Sequence, residues 1–221
     1  MNRGELRNLA LVWLDDLNAG YFTVAQVDIW LNNAQRTMQK KLIKQAQNYY
    51  LLCKQTTLVI GQQDYVLPGD FKKLHRLEVV ISGTGANEQR SPVVPMTLNQ
   101  QDMTTLGPGV PGLYFFKKNR LSLWPIPNQT LTLRLYYTYE VADMVFDTDE
   151  PDAPESYHEY IAILAAKDGF IRDGRTSAQL DQKAAEFEAM INSDAQERNQ
   201  DVPRGIVSTG ANSSGYEDFY F

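Results

Sequence analysis

The sequence predicts an α+β protein in which helices at both ends of the chain enclose a middle section of β-strands. Apolar residues recur every three or four positions up to residue 50, alternate with polar residues from residue 51, and return to helical spacing after residue 147. We therefore expect a helical hairpin at 1–50, an inserted antiparallel β-rich region at 51–146, a second hairpin at 147–198 and an extended tail at 199–221. The two hairpins should pair as an antiparallel bundle, because each alone leaves one apolar stripe uncovered.

The N-terminal hairpin is predicted from two apolar stripes separated by a short stop. The first stripe runs from Arg3 to Leu17, and Gly20 suits the left-handed residue that ends many helices. Thr23 and Gln26 have the spacing of a capping box, which would start the second helix. That helix continues towards Tyr49. The two stripes comprise Leu6, Leu9, Ala10, Trp13, Leu14 and Leu17, then Val27, Trp30, Leu31, Ala34, Met38 and Leu42.

Alternation of apolar and polar residues predicts the strands of the middle region. The clearest strand is Thr130–Tyr139, with leucines and tyrosines on one face and a half-polar second face. The other expected features are strands at 56–60, 65–67, 76–81, 113–116 and 121–124, turns at 61–63 and 68–70, a basic hairpin tip at 117–120, a loop at 107–112 and a short helix at 99–106.

The second hairpin should begin after the acidic segment 147–152. Asp152 and Glu155 have capping-box spacing, and Pro154 is tolerated in a first helical turn. An apolar stripe follows from Tyr157 to Ala165, and 169–174 ends the helix. Thr176 or Ser177 should start the last helix, whose stripe comprises Leu180, Ala184, Phe187 and Ile191.

Composition narrows the functional classes. The chain has 221 residues, a net charge of −6 and a pI near 5.0, which argues against a protein that mainly grips phosphate backbones. Cys53 is the single cysteine, so an internal disulfide and a cysteine zinc site are excluded, and we expect its side chain to be buried. We expect neither a signal peptide nor a membrane helix, and synthesis in a cytoplasm.

A dense acidic cluster is the strongest candidate for chemistry. It comprises Asp143, Asp147, Asp149, Glu150, Asp152, Glu155, His158 and Glu159. One hypothesis is a metal-dependent nuclease or hydrolase, because divalent cations prefer several carboxylate oxygens. The other is a solvated loop followed by carboxylates at a helix N-terminus. The second is favoured, because carboxylates adjacent in sequence rarely converge on one ion.

Weaker patterns point to other chemistry. His75 or His158 could join Ser122 or Ser156 in a catalytic relay, but no nucleophile-elbow motif supports this. The segment 83–85 is a fragment of a phosphate-binding loop and predicts a turn instead. Trp124 and the tyrosines of the β-rich region could stack on sugars, so a carbohydrate-binding module stays open as an alternative.

Two groups of residues are candidates for binding partners. Arg36, Lys40, Lys41 and Lys44 give the second helix a basic outer side that could meet DNA in a channel or an acidic neighbour. The aromatic residues of the tail cannot form a core by themselves, and they would gain free energy in the groove of a partner. Those aromatic residues are Tyr216, Phe219, Tyr220 and Phe221.

The order of several motifs resembles a known family. A Tyr-x-Leu-Pro-x-Asp-Phe segment at 65–71 lies between the hairpins, and Asp152–Glu155 leads into Tyr160, Ile161, Ala165, Ala166 and Phe170 before a charged helix ending near Glu197. Over nearly the whole chain this layout resembles the head-to-tail adaptor proteins of tailed phages, in particular the tail tubular A type.

The resemblance implies a structural virion protein, not an enzyme, made in the host cytoplasm and placed at the portal vertex. It implies a ring, commonly of twelve copies, whose partners are the portal protein, neighbouring copies and the downstream tail or nozzle protein. DNA would pass through the ring with weak, non-specific contact. Neither catalytic residues nor a metal or cofactor is expected, and no membrane is involved.

Overall fold

The computed structural model describes residues 1–45, 48–83, 85–97 and 107–199, without the side chains of 195–199. Its helices are α1 (Arg3–Trp13), α2 (Val24–Gln45), α3 (His158–Arg172) and α4 (Ala178–Asn199). Its strands are β1 (Leu51–Thr57), β2 (Asp64–Val66), β3 (Phe71–Ser82), β4 (Gln89–Pro92), β5 (Val94–Pro95), β6 (Leu113–Lys117), β7 (Arg120–Trp124) and β8 (Thr132–Tyr139). The predicted α+β class is confirmed; the predicted helix at 99–106 lies outside the described residues.

The strands form two four-stranded sheets, with the orders β1-β8-β3-β4 and β2-β7-β6-β5. All pairings are antiparallel except β5 with β6. The predicted strand at 130–139 is confirmed as β8, one of the two inner strands of the first sheet. Its leucines and Tyr137 point into a core shared by both sheets, which comprises Leu58, Tyr65, Leu77, Val79, Val93, Leu121, Leu123, Leu133, Leu135 and Tyr137.

All four described helices contribute to a second core. Helix α3 lies in its middle, in contact with α1, α2 and α4, and residues around its whole circumference are buried. Such a helix needs apolar side chains on several sides, unlike a surface helix with one stripe. Gly169 allows this contact, because a Cβ there would lie 2.7 Å from a methyl of Leu14 and 3.1 Å from the ring of Trp30.

Tyr139 and Gln39 connect the two cores. Tyr139 packs against both. Gln39 on α2 is fully buried, and its side-chain amide donates to the Tyr139 carbonyl at 2.6 Å while its oxygen accepts from Lys72 Nζ at 2.7 Å. Buried polar groups need such partners, so these two bonds fix α2 against β3 and β8.

Two predictions about the connection between α1 and α2 are wrong. Helix α1 ends at Trp13 rather than near Leu17, because Leu14 turns inward and Asp15 adopts a left-handed φ of 56°. Gly20 is not the left-handed residue of this connection; Asp15 and Ala19 are. The connection is held by Asp16, whose carboxylate accepts hydrogen bonds from the amides of residues 20, 21 and 22 at 2.7–3.0 Å.

The predicted capping box at Asp152 and Glu155 is also wrong. A 3₁₀ turn over Glu155–Tyr157 precedes α3, and no side chain caps either element. The Asp152 carboxylate instead accepts a 2.7 Å hydrogen bond from the Tyr139 hydroxyl. The Asp152 side chain therefore bonds to a strand residue instead of capping the helix as the local pattern predicts.

The predicted starts of α2 and α4 are confirmed in part. The Thr23 amide donates to Gln26 Oε1 at 3.1 Å, which is one of the two bonds of the expected capping box. Ser177 rather than Thr176 precedes α4, and its hydroxyl accepts a hydrogen bond from the Leu180 amide at 3.4 Å.

The prediction that Cys53 is buried is wrong. Cys53 is exposed on β1, an edge strand whose residues from 52 to 57 face solvent.

Candidate interaction surfaces

The four basic residues of α2 do not form one outer surface. Lys40 and Lys44 are exposed, whereas Arg36 and Lys41 are half-buried and bound within the chain. Arg36 forms an ion pair with Asp143 and donates to Asn33 Oδ1. The expected basic side is therefore corrected to two residues one helical turn apart.

Lys41 is part of a contact among three helices. Its ammonium donates to Glu188 of α4 and to the Tyr160 hydroxyl of α3, and lies 5.0 Å from the Tyr160 ring centre. The hydrogen bond from Lys41 lowers the pKa of Glu188, and burial raises the pKa of Tyr160. Lys41 thus fixes α2 against α3 and α4.

Several carboxylates of the acidic cluster bind other groups of the chain. Asp147 accepts hydrogen bonds from Arg3 at 2.7 Å and from Arg7 at 2.6 Å. These bonds, with the bond from Arg7 contributing most, hold the pKa of Asp147 well below its usual value. Asp149 Oδ2 accepts from two backbone amides, each at 2.7 Å. Within the described ranges, no three His, Cys, Asp or Glu residues are grouped so that they could hold a metal ion.

The same interactions brace a loop at 144–149 against α1 and α2. Met144 exchanges hydrogen bonds with Asn32, and its carbonyl accepts from Arg3 at 3.0 Å. The amides of Arg3 and Gly4 donate to the carbonyls of Asp149 and Asp147. At the tip of this loop, Val145 and Phe146 are 63% and 69% exposed. We call these two residues the apolar tip.

The sequence alone did not indicate the apolar tip. Val145 and Phe146 follow no helical or strand period, and they stand among acidic residues that drew attention to metal chemistry. The available signal was a pair of large apolar side chains outside any predicted element. Such a pair is either core or a contact surface, and its exposure decides between the two.

A groove lies between the end of α3 and the start of α4. The apolar tip is near the start of α1, whereas α3 contacts Leu14, just after the end of α1. The volume of the groove is about 290 Å³. Ile171 is 69% exposed, and the Arg175 guanidinium covers the Phe170 ring at 5.0 Å. The side chains that line it include Lys167, Phe170, Ile171, Arg175, Leu180 and Asp181. We call it the α3–α4 groove.

The histidines and Ser122, which were candidates for a catalytic relay, form hydrogen bonds within the chain. His75 bonds to Thr138, His158 bonds to the Ala153 carbonyl, and Ser122 bonds to Asp64. Burial lowers the pKa of His75. Gly83 is required by a tight turn, because its φ is 83° and a Cβ would lie 2.2 Å from the Asn87 carbonyl.

Three tyrosines that the sugar-binding alternative could have used form hydrogen bonds within the chain. Tyr50, Tyr137 and Tyr139 direct their hydroxyls to Asp152 or Asp70. Burial raises the pKa of Tyr137 to about 12, with Asp70 contributing. Trp124 is half-buried. The large aromatic side chains that are exposed among the described residues are Tyr21, Phe116 and Phe146.

The tail candidates Tyr216, Phe219, Tyr220 and Phe221 lie outside the described residues. Their role as partner-binding residues therefore stays a prediction. Among the described residues, no helix combines the length and the apolar character that a bilayer crossing requires.

Comparison with known proteins identifies the family of this chain. The model of the family described as SU10 adaptor protein matches residues 1–210, which include both cores, the apolar tip and the α3–α4 groove. A search of curated proteins gave no match. Because the family match covers almost the whole chain, this protein belongs to the SU10 adaptor protein family, a family of phage head-tail adaptors.

Proposed function

We propose that the chain is a structural virion protein, one subunit of a ring that connects the capsid portal to the tail and lines the DNA exit channel. The observation that carries the proposal is the adaptor family match over residues 1–210. Its partners would be the portal protein, neighbouring copies of the chain in a ring of about twelve, as the resemblance implies, and the downstream tail protein. Its function would be binding rather than catalysis.

The charge distribution supports weak contact with DNA. The chain carries a net charge of −6, and two of the four cations on α2 are neutralised by Asp143 and Glu188. Lys40 and Lys44 remain exposed for contact with a passing phosphate backbone. Each phosphate contact adds affinity, so a channel that must release DNA benefits from having few.

We further propose that the helices form an antiparallel bundle made of an N-terminal and a C-terminal hairpin, with the strands as an insertion. The shared core of the four described helices supports it. We retain the division into 1–50, 51–146, 147–198 and 199–221 as part of this proposal. Under it, the bundle would supply the rigid wall of the ring, and the tail would supply the attachment.

The experiment that tests the function is reconstitution with the purified portal protein, followed by negative-stain imaging. We expect a ring of density at one face of the portal. A variant in which Tyr216, Phe219, Tyr220 and Phe221 are all replaced by serine should lose stable attachment while its monomer stays folded. Glu217→Gln with Asp218→Asn is the matched control and should attach. Attachment by the serine variant would remove the role of the tail, and no binding by the wild-type chain would contradict the adaptor proposal.

A further inference from the structure

Strand β1 has an open outer edge. It pairs with β8 over seven residues without a register shift, and among the described residues no second strand lies beside it. Residues 52–57 are exposed on both faces of the sheet, so β1 buries almost no side chain and is held by its backbone bonds. It contains neither a proline nor a bulge, which often protect an edge, and Lys54 is its single charged residue. β1 therefore offers an edge along which one more strand can pair.

The backbone groups on this outer edge follow from the bonds on the inner one. The Leu58 amide donates to the Leu131 carbonyl, and the Tyr50 carbonyl accepts from the last amide of β8, so the even-numbered residues face β8. Successive residues of a strand direct their backbone groups to opposite sides, so the odd-numbered residues face outward. The outward groups in the body of the strand are the amides and carbonyls of Cys53, Gln55 and Thr57.

The segment 206–209, beyond the described residues, has the sequence of a strand that suits this edge. It reads Ile-Val-Ser-Thr, so three of its four residues are β-branched, it carries no charge, and glycines flank it. A second copy of β1 suits the edge less well. The antiparallel register that pairs all seven residues of two β1 strands places Lys54 directly opposite Lys54, and like charges in that position are destabilising.

This segment can reach the edge within one chain. Lys41 of α2 bonds to Glu188 of α4. One turn later on both helices, Gln45 and Asn192 line one cavity, so α2 and α4 run in the same direction. Helix α4 therefore ends at the end of the helical core where the chain passes from α2 towards β1. The six residues 200–205 allow the segment to lie up to roughly 24 Å from the end of α4, which is about the length of β1.

We propose that the segment 206–209 pairs with the outer edge of β1 in the same copy and adds a fifth strand to the first sheet. The short connection keeps the segment at a high effective concentration near the edge, which favours pairing within a copy over pairing between copies. The twelve residues 210–221 then leave from this sheet rather than from the end of α4, so the aromatic residues of the tail approach a partner from the β1 edge. The inference concerns the single chain and does not depend on the proposed ring.

Disulfide formation with the native Cys53 tests the pairing. Four full-length variants, oxidised mildly at low protein concentration, each carry one new cysteine: Ile206→Cys, Val207→Cys, Ser208→Cys and Thr209→Cys. Successive residues of a strand point to opposite faces, so fast formation of an intramolecular disulfide should be confined to 206 and 208 or to 207 and 209, and should be about 10-fold faster there than at the other two positions. Equal rates at all four positions, no disulfide at any of them, or linkage between copies alone would overturn the inference.

Amide hydrogen exchange, measured by NMR on the isolated chain, tests the pairing without a new cysteine. Replacing Val207 and Ser208 together by proline removes the donor that faces β1 in either orientation of the segment. The amides of Gln55 and Thr57 should then exchange at least about 10-fold faster than in the wild type. The amide of Lys54, which faces β8, should exchange at the wild-type rate in the same variant.

The matched control for the proline variant is Ser213→Pro with Ser214→Pro, which places two prolines in the tail outside the proposed strand. Its Gln55 amide should exchange like that of the wild type. Equal exchange of Gln55 in the wild type and in the Val207→Pro, Ser208→Pro variant would refute the pairing, as would an equal acceleration in the control. Both experiments use the chain alone, so they decide the pairing whether or not the chain binds a portal.

Discussion

At the residue scale, single side chains decide how closely the helices of this protein approach. Gly169 is the clearest case, because the Leu14 and Trp30 side chains occupy the space where a Cβ would lie. Asp16 and Asp147 have a comparable role for loops, since one carboxylate collects several donors in each. Neither role is visible in a helical stripe, because it depends on what another part of the chain brings to the residue.

Gly169→Ala should destabilise the protein. A methyl group there must displace Leu14 or Trp30, and overpacking of this kind costs about 1–3 kcal/mol. Gly4→Ala is the matched control, because it is also helical and its Cβ would meet neighbours at 3.4 Å or more. Urea unfolding checks both variants. A loss in Gly4→Ala as large as that in Gly169→Ala would contradict the packing explanation.

Asp147 should make stability depend on acid pH. Its pKa in the folded protein lies below the ordinary 3.8, so the stability it contributes is fully present above that value and is lost as pH falls through the folded pKa. Asp147→Asn should therefore melt at a lower temperature than wild type at pH 7, and the difference should shrink below about pH 4. Melting curves from pH 2.5 to 7 measure this. Glu150→Gln is the control, and a constant difference for Asp147→Asn would be evidence against the ion pairs.

At the element scale, hydrophobic period predicts which kind of element forms, but neighbouring elements decide its ends. Strand β8 follows the alternation closely, and the predicted hairpin at 113–124 forms as β6 and β7. The start of α3 does not follow its capping pattern, because Asp152 bonds to Tyr139 of β8. Helix α3 is buried all round rather than along the predicted stripe, because α1, α2 and α4 cover it.

The turn between β6 and β7 contains a strained residue, and a substitution should relieve that strain. Lys118 and Asn119 form its two-residue turn, and Lys118 has a left-handed φ of 56°, which glycine adopts without cost. Lys118→Gly should raise the free energy of unfolding by up to about 1 kcal/mol, because relief of strain exceeds the entropy that glycine adds to the unfolded chain. Asn119→Gly should give no gain. Chemical unfolding of the two variants tests this, and equal effects would count against the turn assignment.

At the scale of the whole molecule, the helical core and the sheet core are held in one arrangement by a few buried polar bonds. Gln39 donates to the Tyr139 carbonyl and accepts from Lys72, so it connects α2 with two strands of the first sheet. In the proposed ring, any load passed between the helices and the strands of one copy would cross this connection.

Gln39→Ala should weaken this connection. It leaves the partly buried Tyr139 carbonyl and Lys72 ammonium without their partner, at a cost of about 1–3 kcal/mol. Hydrogen exchange measured by mass spectrometry should show faster exchange in β8 and α2 together. Gln182→Ala, an exposed glutamine on α4, is the control and should exchange like the wild type. Unchanged exchange in β8 of Gln39→Ala would contradict the connecting role.

The sequence by itself determined the α+β class, the succession of helices and strands and the resemblance to phage adaptors, because these depend on local period and on motif order. Tertiary structure decided which polar residues are available to partners. Arg36, Lys41 and Asp147 look like free charges in the sequence, yet each finds a counter-ion from a distant segment. Val145 and Phe146 look like candidates for burial, yet the bonds around them hold them in solvent. A charge or an apolar side chain becomes a binding surface only where the rest of the fold leaves it uncovered, and the local pattern carries no record of that.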